Sequence, residues 1–259
     1  MQRKIVYTIL IAILGACAFC LFPLANSGEG AYNWYCVRNS EHKTPELEQR
    51  FSFIEKYDAY FVGDSEDNVI YLTFDAGYEN GNVEKILDVL KAHNAKGAFF
   101  ILKQLINKNP DLVMRMENEG HTVCNHTMNH KDMTKFETID EFRAELDGLN
   151  ELYKNLVGKD MAKYYRPPEG KFSEQNLDFA TKLGYSTVFW SFAYADWDNA
   201  KQPSAEYAKE KILSNVHNGE IMLLHPTSGT NAAILDEVLT VLENDGYRFG
   251  TLDELTGKI

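Results

Sequence analysis

Cysteine is scarce in this chain. Four occur among 259 residues, and Cys17 and Cys20 lie inside an N-terminal apolar run, which leaves Cys36 and Cys124 for the remainder. Two distant cysteines build no disulfide framework. Cys124 falls in an apolar, strand-like stretch and reads as a small core residue. Positive charge is short as well: 26 Lys and Arg against 38 Asp and Glu leave a net charge of −12. Non-specific nucleic-acid binding needs a basic face and is excluded on that ground, although a local basic cleft for an anionic polymer is compatible with the total. Low-complexity segments and an interdomain linker are lacking. The length allows one large domain or two small ones. The apolar and charged fractions, 44% and 25%, are ordinary for a globular protein with a sizeable core.

Long apolar runs are lacking too, with one exception. Arg3 and Lys4 precede a run from Ile5 to Ala25, a basic n-region followed by an h-region. At roughly 20 residues it suits either a cleaved signal or an uncleaved membrane anchor. Ala25-Asn26-Ser27 offers a cleavage site, and Leu14-Gly15-Ala16-Cys17 resembles a lipoprotein box, though strong hydrophobicity continues past Cys17. The expected destination is outside the cell or the extracytoplasmic face of its membrane. Residues 1–27 are thus read as signal or anchor, and 28–67 as a polar, aromatic extension packing on the main domain, with a short helical signal at Glu46 to Lys56.

From Asn68 onward one pattern recurs: helix, glycine, apolar strand. It is seen at Gly97-Ala98-Phe99-Phe100, Gly120-His121-Thr122-Val123, Gly184-Tyr185-Ser186-Thr187-Val188, Gly219-Glu220-Ile221-Met222 and Gly246-Tyr247-Arg248-Phe249. Glycine just past a helix accepts the left-handed conformation that ends it. Near-continuous apolar runs read as strands buried on both faces. Helical segments fall between, as at Val83 to His93, Ile139 to Leu156 and Ala232 to Asn244. Alternation about seven times predicts an α/β fold with a parallel sheet, open or closed into a barrel. Either arrangement gathers chemistry at the carboxyl ends of the strands.

Five polar sets fall there: Thr73-Phe74-Asp75-Ala76-Gly77, His126-Thr127-Met128-Asn129-His130, Arg166-Pro167-Pro168-Glu169-Gly170, Asp196-Trp197 and Leu223-Leu224-His225-Pro226. His126 and His130, four apart, could share a metal from one helical turn, or simply lie on a helix surface. Asp75 suits a general base, or a helix N-cap. Arg166, on a backbone stiffened by two prolines, could orient Asp75 or make a structural salt bridge. His225 suits a general acid, or a hydrogen-bonded core histidine, with Asp196 as its carboxylate partner. Trp197 and Leu224 could wall a small apolar pocket or pack in the core. Tyr78, Glu79 and Asn80 could touch substrate or merely shape the loop. The set as a whole is what metal-assisted hydrolysis of an amide or ester needs.

In this order the five segments resemble the polysaccharide deacetylase family (carbohydrate esterase family four) from about Asn68 to Leu255. Asn33-Trp34, Ile54-Glu55-Lys56-Tyr57-Asp58-Ala59-Tyr60, the run Tyr71 to Gly81 and Val188-Phe189-Trp190-Ser191 resemble its sporulation-type branch, the delta-lactam-biosynthetic deacetylases. The resemblance implies a distorted, incomplete (β/α) barrel for a catalytic domain at 68–259. It implies removal of the N-acetyl group from N-acetylmuramic acid in peptidoglycan glycan strands, a step toward muramic δ-lactam in spore cortex. It implies Asp75 as base, His126 and His130 as metal ligands, Arg166 as the residue orienting the base, Asp196 as partner of His225, and His225 as acid. A monomer is expected. The family's usual second Asp, a metal ligand, is here Ala76, and the first Asp of its Asp-x-x-Asp-Trp segment is Ala193. A divalent metal, zinc first, is therefore expected to be weakly held or dispensable. Two alternatives stand beside this: deacetylation of N-acetylglucosamine or chitin-type glycan, and a catalytically silent glycan-binding protein.

Overall fold

The computed structural model describes residues 30–258. The readings made for residues 1–27 lie outside the described residues. Strands are β1 (Ala31–Asn33), β2 (Ala59–Tyr60), β3 (Val69–Ala76), β4 (Ala98–Ile101), β5 (Thr122–Asn125), β6 (Tyr164–Tyr165), β7 (Lys171–Ser173), β8 (Ser186–Val188), β9 (Glu220–Leu224) and β10 (Arg248–Phe249). Helices are α1 (Val83–Ala92), α2 (Lys103–Lys108), α3 (Pro110–Asn118), α4 (Ile139–Val157), α5 (Glu174–Lys182), α6 (Ala205–Leu213), α7 (Gly229–Asn244) and α8 (Leu252–Thr256).

Eight strands form one sheet, seven of them along the path β10-β3-β4-β5-β6-β8-β2, with β9 beside β3. All of its pairings are parallel. β4 and β9 both pair with Thr73 and Phe74, so they occupy opposite edges of β3. Beyond β8 the chain curls back: Phe192 bridges Met222 of β9, and the Leu223 N–H donates to the Phe192 carbonyl at 2.9 Å. The sheet is thereby bent into a distorted (β/α) barrel.

Strand parity sorts the core. Ile70, Leu72, Phe74 and Ala76 join Phe99, Ile101, Val123, Met222 and Leu224 in a cluster with α1, α3 and α7. Val69 and Tyr71 join Ala98, Phe100, Cys124 and Ile221 on the other face, inside the barrel. Asp75, of Tyr71's parity, therefore points inward, and Ala76 points outward. Cys36 and Cys124 are free thiols.

Residues 30–67 contribute more than a covering. β2 pairs with β8, and β1 pairs antiparallel with β7. Trp34 stacks on Phe189 with centroids 4.5 Å apart, and its indole N–H donates to the Trp190 carbonyl. Gly97 departs from the helix-ending role expected of it. Asn94 takes the left-handed turn after α1 at φ 48°, and a Cβ on Gly97 would sit 2.8 Å from the Phe74 ring. The glycine is there to let an aromatic ring pack.

Candidate active site

Arg166 organises the barrel mouth. It follows β6, its backbone N–H donates to the Asn125 carbonyl, and its side chain is fully buried. Nε donates to the Val188 carbonyl, Nη2 to Thr73 Oγ1 and the Phe189 carbonyl, and Nη1 to Asp75 Oδ1 at 2.9 Å. Its guanidinium lies 4.1 Å from the Phe100 ring centroid. Pro167 itself is extended, at φ −66° and ψ 133°, as the Pro-Pro pair predicts. Held by so many fixed acceptors, the guanidinium can aim only one way, and Asp75 is aimed with it.

Asp75 is not exposed, as a strand-end position suggested, but nearly buried within β3. Burial alone would raise its carboxyl. The Arg166 charge and hydrogen bond, with the His225 imidazole, reverse this and hold it below the usual carboxylate range. Oδ1 is committed to Arg166, and Oδ2 faces His126 Nε2 at 3.6 Å.

His126 follows β5. Its Nδ1 lies 2.9 Å from the Arg166 carbonyl, which can only accept, so Nδ1 carries the proton and Nε2 is the free lone pair. Burial pushes this imidazole down to about 4, keeping it neutral. The helical turn anticipated for His126 and His130 is absent. Thr127 and His130 instead take left-handed conformations, at φ 70° and 55°. The loop is pinned by Asn125 Oδ1 on the Thr127 N–H, Thr127 Oγ1 on the His130 N–H, and Glu145 of α4 on the Asn129 N–H. The result still brings the two rings edge to face, centroids 5.0 Å apart.

A metal is tested by the donor set. Two acceptors, the neutral His126 Nε2 and the ionised Asp75 carboxylate, face each other, an arrangement that a cation relieves. The Nδ1–carbonyl bond is of the kind that orients a metal-ligating imidazole. Against this, Ala76 is fully buried among apolar side chains. Among the described residues no group of three or more His, Cys, Asp or Glu is placed to hold a metal. The residues fit a cation carried by two imidazoles, with the carboxylate of a third ligand missing.

His225 follows β9. Its Nδ1 donates to Asp196 Oδ1 at 2.8 Å and its backbone N–H to Asp196 Oδ2 at 2.8 Å. Burial would lower this imidazole, but the Asp196 bond and charge, with Asp75, outweigh it and raise it. Asp196 is buried, whereas the His225 side chain keeps about a quarter of its surface open. Nδ1 being held, Nε2 is the nitrogen left to exchange a proton.

The proposed substrate-contacting residues divide. Tyr78 is exposed and accepts from Asn199 Nδ2 at 2.6 Å, tying its loop to the one that carries Trp197, which is 63% exposed. Glu79 is occupied in accepting from the Gly81 and Val83 N–H groups at the start of α1. Asn80 donates to the Thr227 carbonyl, joining the loops after β3 and β9. Leu224 belongs to the helix-side core at 1% exposure, so it does not form a wall with Trp197. Its alternation with the barrel-facing positions of β9 decides that. Asn125, Glu145 and Asn231, all placed around the site, escaped the sequence reading, as did the contact of Thr73 with Arg166, since polar residues in strands and helices carry no local signature of their partners.

Comparison with known proteins gives the family. The polysaccharide deacetylase family profile matches residues 62–188, and the chain belongs to that family, whose members hydrolyse the amide bond of N-acetyl groups. Among individual relatives, peptidoglycan-N-acetylmuramic acid deacetylase PdaA of Bacillus subtilis is 43% identical over 224 residues, 86% of this chain and 85% of the relative. The crystal structure of B. subtilis PdaA, a family 4 carbohydrate esterase, superposes with a TM-score of 0.84 at 42% identity, over 88% of this chain and 97% of that one. A peptidoglycan-N-acetylglucosamine deacetylase of Bacillus cereus is 36% identical over 209 residues, 79% of this chain and 74% of the relative.

Proposed function

We propose that this protein removes the N-acetyl group of N-acetylmuramic acid in peptidoglycan glycan strands. The observation that carries the reading is the pairing, at one barrel mouth, of a carboxylate held ionised by Arg166 with an imidazole held basic by Asp196. The identity to a muramic acid deacetylase, above that to an N-acetylglucosamine deacetylase, favours muramic acid as the sugar. The freed amine could then close onto the neighbouring lactyl carbonyl, toward muramic δ-lactam. A catalytically silent binder has no use for two oppositely tuned groups.

In the forward reaction Asp75 Oδ2 accepts the proton of a water attacking the acetamide carbonyl. The carbon–nitrogen bond then breaks as His225 Nε2 delivers a proton to the departing amine, leaving acetate and a free amino sugar. Asp196, accepting from Nδ1–H, stabilises the imidazolium whose Nε2–H is the proton delivered. His126 and His130 would hold a divalent cation, zinc by the preference of paired imidazoles. Bound there, it would polarise the carbonyl and the water. Trp197 and Tyr78 offer exposed rings at the rim for sugar contact. The protein is placed outside the cytoplasm, where its glycan is, as a monomer tethered or released by its N-terminal run. Among the described residues no helix is long and apolar enough to cross a membrane.

The test is mass spectrometry of muropeptides and denuded glycan strands after incubation with the enzyme, with and without chelator. Acetyl loss from muramic acid is expected, with a slower reaction after chelation that zinc restores. Acetyl loss from N-acetylglucosamine alone reassigns the sugar. No loss from any glycan, with the protein folded and zinc supplied, refutes the activity.

A further inference from the structure

Behind Asp196 lies a polar chain in an otherwise apolar layer. Asn231 sits in the first turn of α7, whose cap is Ser228, and is 1% exposed. Its Nδ2 donates to Asp196 Oδ2 at 2.7 Å and to the His225 carbonyl at 3.1 Å. Both partners accept only, so the amide orientation is fixed. Its Oδ1 accepts from the buried Tyr194 hydroxyl. Ile234, Leu235 and Val238 of the same helix are buried in the helix-side core. A buried asparagine with both amide hydrogens and its carbonyl oxygen bonded is not an incidental packing choice, because an unmatched amide there would be costly.

Asp196 alone could rotate about its χ angles. Two carboxylate oxygens are needed at once, Oδ1 for the imidazole and Oδ2 for the His225 backbone. Asn231 closes that arrangement by bonding Oδ2 and the far side of the same residue, the His225 carbonyl. We propose that Asn231, braced by Tyr194, is a positioning residue for the acid: it locks Asp196 and the His225 backbone into one unit, so that Nε2 is presented to the leaving amine. The assignment rests on the reading of His225 as general acid. Nothing in it involves the metal.

Acid positioning has a signature that general damage lacks. An amine leaving group needs its proton, whereas a nitrophenolate leaves without one. In the full-length protein, Asn231→Leu should lower kcat for N-acetyl release from muropeptides about ten-fold or more, a part of the roughly 10²–10⁴-fold that a placed acid supplies. KM should hold steady, and hydrolysis of a nitrophenyl acetate ester should stay within about two-fold of wild type on the same ground. Tyr194→Phe, which deletes one hydroxyl and keeps the ring, should show the same selectivity more weakly. Nitrogen-15 spectra should show one His225 tautomer in wild type and a mixture in Asn231→Leu. His225→Ala, run alongside, tests the underlying reading separately: it must slow amide release selectively, and equal loss on amide and ester overturns the acid role itself. If His225→Ala is selective but folded Asn231→Leu and Tyr194→Phe match wild type on both substrates, or lose both equally, the positioning role is overturned.

Discussion

Arg166→Met gives the most demanding test of how the site is held. The substitution keeps much of the side-chain volume and removes every donor. Four acceptors lose their partner: the Val188 and Phe189 carbonyls, Thr73 Oγ1 and Asp75 Oδ1. Thr73 retains its own donation to the Met222 carbonyl. The largest loss is the charge, since Asp75 stays beside a neutral His126 with only the His225 imidazole left to offset its burial. Breaking a buried pair by removing one partner costs about 3–5 kcal/mol. For a domain of this size, at about 2–4 °C per kcal/mol, Tm should fall by roughly 6–20 °C. Adding Asp75→Asn removes the stranded charge while leaving the orphaned carbonyls, so about 1–3 kcal/mol should return. Thermal melts monitored by circular dichroism, in chelator so that bound metal does not mask the effect, give both numbers. A double variant that melts at or below Arg166→Met shows that the Asp75 charge is not what Arg166 offsets, and refutes the reasoning.

Three further outcomes are expected. His225 is raised because Asp196 and Asp75 outweigh burial and Arg166; it acts protonated, so the alkaline fall in kcat/KM should lie above about 6.5 and Asp196→Asn should move it down. His93 bridges α1 to α7, Nδ1 to Glu243 at 3.0 Å and Nε2 to Asp236 at 3.1 Å; burial lowers its imidazole but the two carboxylates raise it overall. Its contribution is therefore complete below about pH 6.5 and lost as pH rises through the folded value, so urea midpoints of His93→Ala and wild type should converge with rising pH. Ala76→Asp would bury a carboxylate on the helix side of β3, where Ala76 is fully enclosed; in chelator it should cost at least about 2 kcal/mol, and an unchanged urea midpoint would contradict the side-chain direction assigned to Ala76.

The alternation of helix, glycine and apolar strand made the parallel architecture legible, and with it the end of the sheet where Asp75, His126, Arg166 and His225 gather. That much follows from strand polarity. Distance does not. The His126–His130 spacing suggested a helix, yet two left-handed residues, stabilised by side chains of Asn125, Thr127 and Glu145, bring the rings together. Leu224 looked like a pocket wall because it neighbours His225 in sequence, but alternate residues of a strand face opposite ways. Ala59-Tyr60 carries too little pattern to be read as a strand, and becomes β2 only because β8 offers it a free edge. Asn231 lies six residues past His225, on a helix whose other inward positions are aliphatic; only the three-dimensional juxtaposition with Asp196 gives it meaning.

The placement of β3 has a consequence for how the molecule comes into being. This strand is flanked by β4, made soon after it, and by β9, made some 145 residues later, from Glu220. Pairings this remote in sequence close late and slow folding. A growing chain therefore holds one edge of its central strand unsatisfied until most of its length has emerged, and cannot lock prematurely. Chains ending before Glu220 would carry that apolar edge permanently and should aggregate rather than accumulate as folded fragments.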